Sequence, residues 1–186
     1  MGLFDRFKSK TATTQEGQTA KEGPTARQRS YEWYEKGLPL YMTGHNEDAI
    51  PYFDKSLEID PNYEDAWTRK AYALFKLDRF QEALSCFDKS LELTKKSDYY
   101  TWEFKGHTLA RLGRDKEAIS CFDKSLELNP NKNKTWMGKG NALARLGCDK
   151  EAISCFDKSL ELNPSDVMAE TNKQQVLERN RKTAKK

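Results

Sequence analysis

The chain has 186 residues, with 32 Lys+Arg against 29 Asp+Glu, and only 37% of its residues are hydrophobic. That length is enough for one domain with a core, and an apolar share this low suits an elongated array of repeats better than a compact globule. No apolar run approaches the ~18 residues a membrane span needs, and two basic ends around an acidic middle lack the concentrated basic face of a nucleic-acid-binding core.

Residues 1–29 hold six Lys/Arg and three Asp/Glu. They open with MGLFDRFK, in which Leu3, Phe4 and Phe7 would share one face of a short helix beside Arg6 and Lys8. Two readings of this segment stay open: a docking element for a membrane surface or partner groove, or a frayed tail. It lacks the long apolar stretch of a signal peptide, and Arg6 stands where a myristoylation motif has Ser or Thr. Residues 9–29 are rich in Thr, Gln, Gly and Lys without an apolar period, which predicts a disordered tether.

From residue 30 onward the chain repeats. Residues 110–130 and 144–164 differ only at Arg114 and Cys148 and lie 34 residues apart. The same pattern returns, less perfectly, at 46–61 and 79–93. Four units follow: 30–63, 64–97, 99–132 and 133–166, with Asp98 inserted between the second and third. The fourth position of each is Trp33, Trp67, Trp102 or Trp136. The eighth is Gly37, Ala71, Gly106 or Gly140, and the eleventh is Leu40, Leu74, Leu109 or Leu143. The twentieth is Ala49, Ala83, Ala118 or Ala152, and the twenty-fourth is Phe53, Phe87, Phe122 or Phe156.

Each unit reads as two helices, A and B, joined by a turn at Gly44, Asp78, Gly113 or Gly147. Glycine accepts the left-handed conformation that ends a helix. Small residues at positions eight and twenty let the two helices approach, and the Trp, Leu and Phe fill the space between them. Pro61, Pro130 and Pro164 stop helix B, with Lys95 the exception. One helix pair cannot bury its apolar face alone, so the units must stack. Pro39 and Pro51 fall inside the helices of unit one, which predicts a bent or less stable first unit. The DKSLEL runs read as solvated faces.

These positions resemble the tetratricopeptide repeat (TPR) family over residues 30–166. The resemblance implies an all-α, right-handed superhelical α-solenoid. Residues 1–29 would then be a basic N-terminal tail, and residues 167–186 a capping helix with a basic tail. It also implies that the A helices line a concave groove where ligands lie. Carried over position by position, the groove residues are Tyr31, Tyr34, Tyr41, Tyr72, Phe75, His107, Arg111, Lys134, Asn141 and Arg145.

One half of this set is aromatic and the other is cationic or amide. That division predicts a protein or peptide ligand with apolar anchors at one end and acidic residues at the other; the competing reading is that the aromatics only pack and the cations are solvated. The carboxylate clamp of chaperone-binding relatives is absent: the matching positions from unit one hold Tyr34, Leu38, Arg69, Tyr100 and Phe104.

The expected function is a cytoplasmic interaction scaffold, with a peripheral membrane tether through residues 1–8 as the alternative. Cys86, Cys121, Cys148 and Cys155 form no CxxC pair and are expected as ordinary thiols, and with His45 and His107 they do not make a zinc spacing. No catalytic constellation, cofactor or metal is expected.

Overall fold

The structure, a computed structural model, describes residues 23–94 and 98–183. The expectations for residues 1–22 therefore lie outside the described residues. Nine helices occur among the described residues and no strand: α1 (Ala26–Met42), α2 (Asn46–Ile59), α3 (Glu64–Lys76), α4 (Phe80–Leu93), α5 (Tyr99–Arg111), α6 (Asp115–Leu128), α7 (Asn133–Arg145), α8 (Asp149–Leu162) and α9 (Val167–Thr183). Odd-numbered helices through α7 are the A helices and even-numbered ones the B helices.

Helix α1 starts four residues before the expected unit boundary. Thr25 and Gln28 form a reciprocal capping box, with the Gln28 backbone N–H donating to Thr25 Oγ1 and the Thr25 N–H to Gln28 Oε1. The pair satisfies two N-terminal donors, so the helix can begin inside a polar stretch.

All four A–B turns close in the same way. The turn residue has positive φ at Gly44 (83°), Asp78 (57°), Gly113 (73°) and Gly147 (78°). The next residue's N–H then reaches back to the eleventh-position leucine carbonyl: His45 to Leu40, Arg79 to Leu74, Arg114 to Leu109 and Cys148 to Leu143, at 2.8 to 3.0 Å. This is the hydrogen-bonding pattern of a helix closed by a left-handed residue.

Phe53, Phe87, Phe122 and Phe156 are fully buried, as are Ala49, Ala83, Ala118 and Ala152. The Phe rings lie so close to helix A that a Cβ on Gly37, Gly106 or Gly140 would fall 2.7 to 2.9 Å from a ring carbon. Each phenylalanine contributes roughly 1.5–3 kcal/mol by burial.

Stacking is also polar. Lys70 pairs with Asp54, Lys105 with Asp88, Lys139 with Asp123 and Lys173 with Asp157, at 2.6 to 2.7 Å. Each lysine holds the seventh position of one A helix, and each aspartate belongs to the B helix before it. The reading of these aspartates as merely solvated is thus corrected: they tie one unit to the next. A buried hydroxyl set adds to this inside the units, with Ser125 Oγ donating to the Tyr99 carbonyl and Ser159 Oγ to that of Asn133.

Neither Pro39 nor Pro51 interrupts its helix. Both side chains face outward and are exposed, so each ring avoids the core while its missing N–H still removes one helical bond. At the other end, α9 takes the place of a fifth helix A. Its Lys173 makes the same ion pair as the earlier seventh-position lysines, and its Ala169 and Val176 are buried against the fourth unit. A helix is present where the capping helix is predicted; its outer surface is mostly polar, with Val167 and Met168 exposed at its start.

Candidate ligand groove

Alternate helices touch only within the odd-numbered series: α1 meets α3, α3 meets α5, α5 meets α7 and α7 meets α9. The A helices therefore line the inner face of the solenoid and the B helices its outer face. Along the inner face lies an open cleft of about 500 Å³, centred between α3 and α5. Tyr41, Thr68, Arg69, Tyr72, Tyr100, Thr101 and Phe104 line it, with Glu64, Asp65 and Asp98 at its edges.

Edge-on aromatic contacts wall the cleft. Tyr72 meets Phe104 edge-on at 4.8 Å and Phe87 at 5.4 Å. Phe75 packs edge-on against Phe104 at 5.2 Å and Phe80 at 5.7 Å. Burial raises the pKa of Tyr72 well above its ordinary value, and a hydrogen bond with Thr101 acts against that shift. The Arg69 guanidinium lies 5.9 Å from the centre of the Tyr41 ring and beside the Tyr34 hydroxyl, whose pKa is raised chiefly by burial. Aromatic edges, hydroxyls and one guanidinium thus face the same open space.

The expected groove residues fall into three groups. Tyr41 and Tyr72 line the cleft, with Phe75 packed beside it. Tyr31 and Tyr34 pack together at 6.2 Å, and Tyr34 also meets Phe53 and Tyr63 at 5.9 and 5.1 Å. With Tyr34 only 7% and Tyr72 only 8% exposed, both are as much core as surface.

The third group lies in the C-terminal half. Arg111 pairs with Asp78 at 3.2 Å, and Arg145 binds both oxygens of Asp115, its closest approach being 2.6 Å. Asn141 accepts from Asn172 of α9 at 2.8 Å. The arginine charges are therefore already opposed by carboxylates of the preceding unit. Lys134 is exposed, with no hydrogen bond or ion pair among the described residues.

His107 sits beside Lys134 and packs edge-on against Phe122 at 5.0 Å. Burial, assisted by the Lys134 ammonium, pushes its pKa down to about 4, so the ring is neutral at physiological pH. Glu103, one turn before His107 on α5, reaches the next unit. Its Oε2 accepts from Thr135 at 2.7 Å, and Oε1 stays 3.9 Å from His107 Nε2.

Arg69 and Phe104 were missed as groove residues. Both hold position six, which reads Glu35, Arg69, Phe104 and Gly138 through the four units. Stacking positions hardly vary between units, so the variation at position six was the available signal. Burial also pushes the Cys86 and Cys121 thiols up to about 11, which fits inert thiols rather than nucleophiles. Among the described residues no cluster of His, Cys, Asp and Glu could hold a metal, and no helix is long and apolar enough to cross a membrane.

Comparison with known proteins agrees with this architecture. A 35-residue stretch is 43% identical to the uncharacterized protein MJ0572 of Methanocaldococcus jannaschii, covering 19% of this chain and 41% of that one. Among solved structures, YrrB, described as a TPR protein with an unusual peptide-binding site, aligns with a TM-score of 0.74 at 23% identity over 82% of this chain and 78% of its own. MamA aligns with a TM-score of 0.76 at 17% identity over 81% of each chain. Models of the tetratricopeptide repeat match residues 31–63, 62–129 and 134–166. With all four units so matched, the chain belongs to the tetratricopeptide repeat family and is an all-α helical-repeat solenoid.

Proposed function

We propose that this protein is a scaffold that binds an extended segment of a partner protein in its concave groove and catalyses no reaction itself. The observation that carries this reading is the cleft between α3 and α5. There, half-buried aromatic edges stand beside hydroxyls and a guanidinium in one open trough. Such a surface supplies apolar contact at low entropic cost and a few directional hydrogen bonds. Apolar side chains of the ligand would rest on Tyr41, Tyr72 and Phe104. An acidic ligand residue would meet Lys134, because Arg111 and Arg145 already hold aspartates. YrrB, which shares the fold, is described as having an unusual peptide-binding site, in keeping with peptide binding by an array of this kind.

The test is capture from native cell lysate by three forms of the full chain: wild type, Tyr41→Ala/Tyr100→Ala in the cleft, and Lys124→Glu on an outer B helix. Tyr41 and Tyr100 are chosen because neither is fully buried, whereas Tyr34 and Tyr72 also carry core packing. Partners kept by wild type and Lys124→Glu but lost by the cleft variant support the reading. Partners kept by the cleft variant and lost by Lys124→Glu refute it.

A further inference from the structure

Four lysines at the seventh position of an A-type helix each bond an aspartate of the helix B before it. The same position in α1 is Lys36, and no described helix precedes it. In later units the paired lysine stays 5.3 to 5.7 Å from the centre of its own tryptophan ring. Lys36 instead lies 4.3 Å from the centre of Trp33. Lys55 brings a second ammonium to 4.4 Å from the same ring. Its counterparts Lys89, Lys124 and Lys158 each pair with a glutamate three residues on.

Neither Lys36 nor Lys55 has a carboxylate within ion-pair distance among the described residues. Trp67 and Trp136 donate their indole N–H to a proline carbonyl; Trp33 has no such acceptor among the described residues. Trp33, Leu40, Pro51 and Tyr52 line an open hollow of about 600 Å³ on this end of the array, with Glu47 and Asp48 at its margin. The end face is thus an apolar seat with two ammonium groups that have no carboxylate within ion-pair distance among the described residues.

We propose that residues 1–8 of this same chain occupy that seat as a surrogate helix B, with Asp5 bonded to Lys36. Phe4-Asp5-Arg6 repeats the Phe-Asp-Lys of every helix B: Phe53-Asp54-Lys55 in the first unit and its equivalents in the other three. In that register Asp5 takes the place of the aspartate that grips the following lysine. Met1 takes the apolar place of Ile50, Leu84, Ile119 and Ile153. Phe7 and Lys8 depart from the pattern, standing where Ser56 and Leu57 stand in unit one. In this register Phe7 brings a second ring to lay over the hollow. Arg6 and Lys8 bring charge opposite to that of Glu47 and Asp48.

The connection is long enough. Residues 9–22 can span up to ~46 Å when extended, whereas α1 is only ~26 Å long.

Solution NMR of the isotope-labelled full chain tests the proposal. Residues 3–7 are expected to show heteronuclear NOE values near those of α1, and the Trp33 indole signal to move in Phe4→Asp. Asp5→Lys and Lys36→Asp should each lower the docked-to-undocked ratio by about 1.5- to 5-fold, the range for an exposed ion pair. The double variant Asp5→Lys/Lys36→Asp should restore it. Rapidly tumbling residues 3–7 with a Trp33 signal unmoved by Phe4→Asp would overturn the proposal. So would single-variant losses that the double variant does not rescue, or ordering of residues 3–7 only after addition of phosphatidylserine vesicles, which would assign the segment to a membrane.

Discussion

Position nine of helix A carries Leu38, Tyr72, His107 and Asn141 through the four units, and the structure gives each a different task. His107 is the one that titrates. Its pKa is lowered to about 4 by burial, so the unfolded chain takes up this proton first as pH falls. Stability should therefore be lost between about pH 6.5 and pH 4, and this group adds nothing further below that window. Denaturant midpoints across that range should fall less steeply in His107→Gln than in wild type. The twenty-fourth position is simpler. Phe122→Ala should cost about 3–5 kcal/mol in urea unfolding, because a fully buried ring leaves a cavity between packed helices. The core phenylalanines were legible in the sequence, since packing imposes one residue type at one spacing. The fate of Glu103 was not: its partner Thr135 lies in the next unit, and nothing local marks an inter-unit hydrogen bond.

At the scale of helices, the periodic pattern placed all four pairs and their turns, because every unit meets the same steric demand. The first helix escaped that logic at its start. Thr25 and Gln28 sit in a stretch without apolar period, and only their capping geometry extends α1 back to Ala26. Pro39 occupies position ten, where Ala73, Thr108 and Ala142 are fully buried against the preceding unit. Being exposed, its ring is tolerated, but the lost hydrogen bond remains. Pro39→Ala should raise stability by about 1–3 kcal/mol, and hydrogen exchange should show slower opening of α1. The Arg145–Asp115 pair carries a second expectation. Asp115→Asn weakens a charge-assisted bond whose arginine is half exposed, so about 1 kcal/mol should be lost, seen as a lower urea midpoint. The ion pairs between units were hidden from a reading of single helices, because each joins residues from two repeats.

For the whole molecule, stacking turns four weakly stable helix pairs and a cap into one continuous inner face. Tyr41 and Tyr72 of that face came from the positions that the family resemblance implies, not from the spacing itself. The cationic half was readable as residue types but not as available charge: Arg111 and Arg145 are opposed by aspartates of the preceding unit, leaving Lys134 exposed. Arg69 and Phe104 complete the cleft from a position whose variability, rather than its repetition, marks it. The most direct measurement is amide hydrogen exchange of the full chain with and without a partner captured from lysate. Slowed exchange in residues 65–72 and 98–104, with the outer helices α4 and α6 unchanged, is the predicted result. Slowing confined to α4 and α6 would contradict the account and place the binding surface on the convex side.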